Sequence, residues 1–179
     1  MINGLCEARV SEGSSNPVGA LGVEKIRRCC MDLEERWRRL QAQLGYSDEE
    51  VQVLRSNPKY RRMVEETPQF VTHRIVAEVI RSHGCHSQLK VGDRIVMNGS
   101  GQLIRDECPQ RICIWALAPL APVVNTVFER FVAQLDPNDL LFDVVHCQDV
   151  GLECGGWGQI LMKVRVEAAT RTNVGILDE

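Results

Sequence analysis

No run of apolar residues in this 179-residue chain approaches the roughly 18 that a bilayer-crossing helix requires, so no membrane span is expected. The opening MINGLCEARVSEGSSNPVG has neither the basic n-region nor the apolar h-region of a secretory signal, and a cytoplasmic location is expected. Positive charge is not in excess. Lys and Arg number 21 against 24 Asp and Glu, a formal net charge of −3, whereas a nucleic-acid binder usually carries a basic face. No Cys-x-x-Cys pair occurs, which speaks against a zinc ribbon or finger. No internal repeat is apparent. The GGWG segment at 155–158 lacks the lysine and the strand–loop–helix setting of a P-loop, so nucleotide binding is not expected.

What is present is a globular composition, 44% hydrophobic and 25% charged. The chain is long enough to bury a core without disulfide or metal staples. Eight cysteines, at 6, 29, 30, 85, 108, 113, 147 and 154, are scattered without the tight spacing of a secreted disulfide scaffold. The thiols are therefore expected to be reduced, and to be buried, metal-binding or catalytic.

Residues 1–23, rich in Gly, Ser and Asn, read as a mobile lead-in. From Glu24 the spacing of Ile26, Cys29 or Cys30, Leu33, Trp37, Leu40 and Leu44 predicts one amphipathic helix, stopped at Gly45. Ser47-Asp48-Glu49-Glu50 is a capping box for a second helix, and Asn57-Pro58 opens a third that Thr67-Pro68 should end. Phe70 to Ser82 alternates as a half-buried strand. Arg94–Met97 reads as a second strand, with Gln102–Ile104 as a hairpin partner across Asn98-Gly99. A buried helix is expected from about Pro119 to Leu135 and a last strand from Gln159 to Glu167, with a frayed tail over 169–179. With no βαβ rhythm, the fold class is α+β. A helical layer at 24–66 should precede a mostly antiparallel sheet at 69–168 that holds one buried central helix, all in one domain spanning 24–168.

Chemistry concentrates in three stretches at strand ends: His83-Gly84-Cys85-His86, His146-Cys147-Gln148-Asp149 and Glu153-Cys154-Gly155-Gly156-Trp157-Gly158. They are expected to converge on one pocket. A Cys near a His can form a thiolate, and a buried carboxylate can act as a general acid when burial raises its pKa. On that ground Asp149, Cys85, His83, Cys147 and Glu153 are the candidate catalytic residues. Trp157 is either a core plug or a stacking surface for an aromatic ligand, and His73 either a core histidine or a pocket wall. With His86 they form the candidate binding set, joined by Arg105 and Arg111 as clamps for a substrate carboxylate; salt bridges are the plainer use of Arg74, Arg105 and Arg111. Cys113 reads as a small core residue. His83, Cys85, His86, Cys147, Asp149 and Cys154 are of the right types to hold zinc or a late transition metal, but their spacing matches no common site, so no cofactor is expected and a metal ion stays an open alternative.

The motifs HGC (83–85), VGDRIV (91–96), RICIWAL (111–117), the Cys147–Asp149 pair and GGWG (155–158) resemble those of small bacterial proteins of the 4-hydroxylaminobenzoate lyase type. The resemblance covers about residues 70–167. It implies a small enzyme of nitroaromatic degradation that turns an arylhydroxylamine into protocatechuate and ammonium, acting on a small aromatic acid and forming a homo-oligomer. It assigns no catalytic residue. Such a reaction needs an acid for the N–OH oxygen, a positioned water and a cation for the ring carboxylate. Asp149 or Glu153, a histidine and an arginine match those needs by type. The competing readings are a non-catalytic metal- or small-molecule-binding accessory protein, and a structural subunit whose Cys-rich loops form an interface.

Overall fold

The computed structural model describes residues 32–169. Among the described residues four helices come first: α1 (Leu33–Leu44), α2 (Asp48–Ser56), α3 (Pro58–Glu65) and α4 (Thr67–Thr72). They are followed by β1 (His73–His83), β2 (Arg94–Asn98), the short α5 (Ile114–Leu117), α6 (Leu120–Val132), β3 (Val144–His146) and β4 (Gln159–Ala168). The chain is α+β, with one four-stranded sheet in the order β2-β1-β4-β3 and every neighbouring pair antiparallel.

Local chemistry starts each of the first helices. The Asp32 side chain accepts the N–H groups of Glu34 and Glu35 at the head of α1. Ser47 and Glu50 form the reciprocal capping box of α2, and Asn57 caps α3 with Pro58 at its first position. Gly45 ends α1 in the left-handed conformation, φ 67°. Two expectations need correction. Asp32 is extended and caps α1, so this helix begins at Leu33; the stretch of the expected helix from Glu24, with Ile26, Cys29 and Cys30, and the lead-in lie outside the described residues. Thr67-Pro68 opens α4 and does not simply end α3, because proline is as well suited to a first helical turn as to a break. Phe70, Val71 and Thr72 are thereby helical, and the strand begins at His73.

The helical layer has its own small core of Trp37, Val51 and Val64, with the Arg55 guanidinium 5.1 Å from the Trp37 ring centre. Met63 packs against both this cluster and the main one. The main core lies between sheet and α6: Ile75, Ala77 and Val79 of β1 and Ile160, Met162 and Val164 of β4 join Leu120, Val123, Val127 and Phe131 of α6. β1 is more than half-buried, since Arg74 and Val76 on its second face are covered as well.

Two irregularities interrupt the sheet. Register along β1 and β4 passes from Val79↔Met162 to Arg81↔Leu161, a bulge that leaves Ile80 exposed and re-aims the last residues of β1. Beyond β2, Gln102–Ile104 returns as expected, but the strand pairing is a single bridge, Met97↔Leu103. Gly99 there serves close approach: its N–H donates to the Phe70 carbonyl at 2.9 Å, and a Cβ would lie 2.5 Å from Phe70 Cα. At the far end, the Ala169 N–H donates to the Thr72 carbonyl; the rest of the expected tail lies outside the described residues.

Candidate functional site

The segment after β1 and the segment before β4 cross with no side chain between them. Gly84 has φ +63°, and a Cβ on it would lie 2.8 Å from the Trp157 carbonyl oxygen. Next to this crossing, Cys147 continues the β3–β4 ladder: its N–H donates to the Ile160 carbonyl at 3.1 Å and its Sγ accepts the Ile160 N–H at 3.3 Å. The thiol is buried, in the place where a sheet edge would otherwise leave a donor unmet.

Asp149 organises the loop after Cys147. Its Oδ1 accepts the N–H of Gly151 at 3.0 Å and of Trp157 at 3.1 Å. The Gly151 N–H does most to hold this carboxyl below the usual carboxylate range; burial works the other way, and the N–H groups of Trp157 and Gly158 add to the lowering. Gly156 leaves the space for it, since a Cβ there would sit 2.1 Å from Asp149 Oδ1. The adjacent Gln148 donates its N–H to the Trp115 carbonyl at 3.0 Å, which draws α5 to the same loop. Residues 148 and 149 therefore anchor both Trp115 and Trp157.

Two hollows result. A cavity of about 30 Å³ is walled in part by Cys85, His86, Cys113, Trp115, Cys147 and Asp149. That is room for a water or two and not for a ring. Beside it opens a cleft of about 270 Å³ bounded by Trp115, Gln148, Asp149, Val150, Gly156 and Trp157. Trp115 and Asp149 border both hollows. Trp115 and Trp157 are 51% and 70% exposed, so Trp157 is no core plug. The His86 ring lies tilted against Trp157, with centres 5.3 Å apart. No protein-family model, no characterised protein and no solved structure matches this chain.

The structure brings Cys85, His86, Cys147, Asp149 and Trp157 together and leaves other candidates outside. His83 is exposed at the end of β1 and lines neither hollow. Glu153 is exposed on the short helical turn Leu152–Cys154 and also lines neither. Arg105 lies in the turn Arg105–Glu107 beyond β2, and Arg111 is exposed ahead of Cys113; neither reaches the cleft wall. His73 begins β1, roughly 30 Å of extended chain from His83, and its ring packs 5.4 Å from that of Phe131. It belongs with the core. Arg74 is buried beside Glu107, at 3.8 Å.

One further correction concerns chemistry. Asp149 does not fit a general acid raised by burial, because its backbone donors favour the ionised form. Cys113 packs against the main core as expected, and it also walls the cavity. Trp115 is a site residue that the sequence hides. Inside an apolar run it looks like core, but in α5 it is Ala116 that is buried, while Ile114 and Trp115 are exposed. Cys85, Cys108, Cys113, Cys147 and Cys154 are free thiols. Among the described residues no three His, Cys, Asp or Glu side chains are grouped to hold a metal ion, and no helix is long and apolar enough to cross a membrane.

Proposed function

We propose that this chain is a small cytoplasmic lyase that converts 4-hydroxylaminobenzoate and one water into 3,4-dihydroxybenzoate and ammonium. The observation that carries this reading is that a cleft walled by two exposed indoles and a carboxylate adjoins a small cavity lined by an imidazole and thiols, Trp115 and Asp149 bordering both. A planar ring stacks against Trp115 and Trp157. His86, in the cavity beside the cleft, donates a proton to the N–OH oxygen as the N–O bond breaks and its electron pair leaves with that oxygen. The ionised Asp149 stabilises the positive charge that develops on nitrogen and ring. The departing oxygen leaves as water. One water adds to the ring carbon beside the nitrogen-bearing carbon, and a second hydrolyses the resulting imine so that nitrogen departs as ammonium. Loss of the ring proton restores the aromatic catechol, a net uptake of one water. The N–O bond is itself the oxidant, so the electrons balance without a redox partner. Since neither Arg105 nor Arg111 lines the cleft, the ring carboxylate is directed to solvent. Exposed Ile114, Leu141, Phe142 and Leu152 support assembly as a homo-oligomer.

Purified protein incubated with a panel of arylhydroxylamines should release ammonium and, from 4-hydroxylaminobenzoate, form the catechol product. No release above the protein-free blank rejects the reading. A non-catalytic small-molecule-binding role is favoured by one observation, that the Asp149 carboxylate is already committed to backbone N–H groups. Saturable aromatic binding without turnover decides for that role.

A further inference from the structure

We infer that the cleft between Trp115 and Trp157 receives the positively charged, nitrogen-bearing end of an aromatic ligand and directs that nitrogen at Asp149. Of the six residues that bound the cleft, Asp149 alone carries charge. Gln148 is neutral, Val150 is apolar and Gly156 presents bare backbone. The two remaining walls are indoles, whose faces attract a cation through the ring quadrupole and attract an anion not at all. An entering carboxylate would meet a like charge with no arginine among the lining residues to offset it. An ammonium would meet a carboxylate and two aromatic faces.

The carboxylate keeps its charge because the N–H groups around it favour the ionised form, and those same hydrogen bonds fix its position before a ligand arrives. At about 270 Å³ the cleft lies just under the ordinary range of small-molecule sites, roughly 300–1,000 Å³, and suits a single ring with a small substituted nitrogen. The imidazole of His86 lines the neighbouring cavity and not the cleft. The inference shares the cleft with the lyase reading but is independent of turnover. The recognised class is therefore aromatic ammonium ions and not acids that lack such a nitrogen. For an arylhydroxylamine the cleft sets the nitrogen inward, where positive charge develops as the N–O bond breaks, and any ring acid outward.

The test compares three ligands on the unaltered full chain: phenyltrimethylammonium, benzyl alcohol and benzoate, followed by tryptophan emission and calorimetry. Phenyltrimethylammonium should bind at least tenfold more tightly than benzyl alcohol, and benzoate most weakly. Added salt should weaken the cation and leave benzyl alcohol unaffected. Trp115→Leu and Trp157→Leu should each weaken the cation about tenfold or more. Asp149→Asn should reduce it to the affinity of the neutral ligand; should that variant disturb the loop, the three-ligand series and its salt dependence decide alone. Equal binding of all three, a preference for benzoate, or no binding overturns the inference. Cation binding without ammonium release from any arylhydroxylamine removes the lyase reading and leaves this one standing.

Discussion

Gly158 and Gly84 meet backbone to backbone: a Cβ on Gly158 would lie 2.3 Å from both the carbonyl carbon and the carbonyl oxygen of Gly84. Neither neighbour can yield, because Gly84 is tied to the end of β1 and Gly158 leads directly into β4. Gly158→Ala should therefore cost roughly 1–3 kcal/mol, the usual range for an overpacked site, and should separate the two loops that form the cavity. A urea melt together with tryptophan emission checks both effects. An unchanged midpoint and spectrum would show that the loops do not cross here.

The ionised Asp149 makes the 149–158 loop sensitive to acid. Its folded pKa lies below the unfolded value, so the stability it contributes is complete above about pH 3.9 and is lost as pH falls from there through the lowered value. Glu167 also titrates low; burial raises it, but Arg165 and Arg94 outweigh that effect, so global unfolding is a poor reporter. Local emission is the better probe. In acid titration the exposed tryptophans should respond before the far-ultraviolet dichroism changes, and Asp149→Asn should lack that early step. Coincident transitions in both proteins would refute the assignment.

Trp37 is 3% exposed and packs on Val51 and Val64 in a core that touches the main one through Met63. Trp37→Ala should cost about 3 kcal/mol. Because the cleft is built from β-strand ends and α5, ligand titration of Trp115 and Trp157 should be unaffected at temperatures where the variant is folded. A melting temperature equal to that of the parent chain would reject the packing.

The elements legible in the sequence are those set by near neighbours. The Ser47–Glu50 capping box needs only four residues, and the three- and four-residue spacing of Leu120, Val123, Val127 and Phe131 gives both the helix and its buried face. Alternation in β4 likewise marks Ile160, Met162, Val164 and Val166 as inward. Phe70-Val71-Thr72 misleads because these β-forming types are held in a helix by Pro68 and by a long-range bond from Gly99. At the site, the unusual density of His, Cys and Gly points to the right loops. The side-chain roles do not follow from it, because they depend on partners far along the chain. Asp149 differs from any exposed aspartate only through the N–H groups of Gly151, Trp157 and Gly158, and Trp115 is brought to the cleft by the bond from the Gln148 N–H to its carbonyl.

If the cleft carries out lyase chemistry, position should separate the two histidines that flank Gly84-Cys85. His86 walls the cavity and lies tilted against Trp157, whereas His83 lines neither hollow, though it stands only three residues away. A proton donor must reach the N–OH oxygen of a ring held against the indoles, and of the two only His86 lines the cavity that adjoins that cleft. His86→Gln keeps a polar side chain of similar reach but cannot cycle a proton. It should lower kcat on 4-hydroxylaminobenzoate about a hundredfold, with KM changed little, as expected for a lost proton-transfer group. His83→Gln should stay within about twofold of the parent, and so should Glu153→Gln, whose carboxylate is exposed on the Leu152–Cys154 turn. Measured as ammonium release under saturating substrate, a large loss in His83→Gln or Glu153→Gln with His86→Gln unimpaired would place the chemistry outside the hollow that Cys85, Cys147 and Asp149 share.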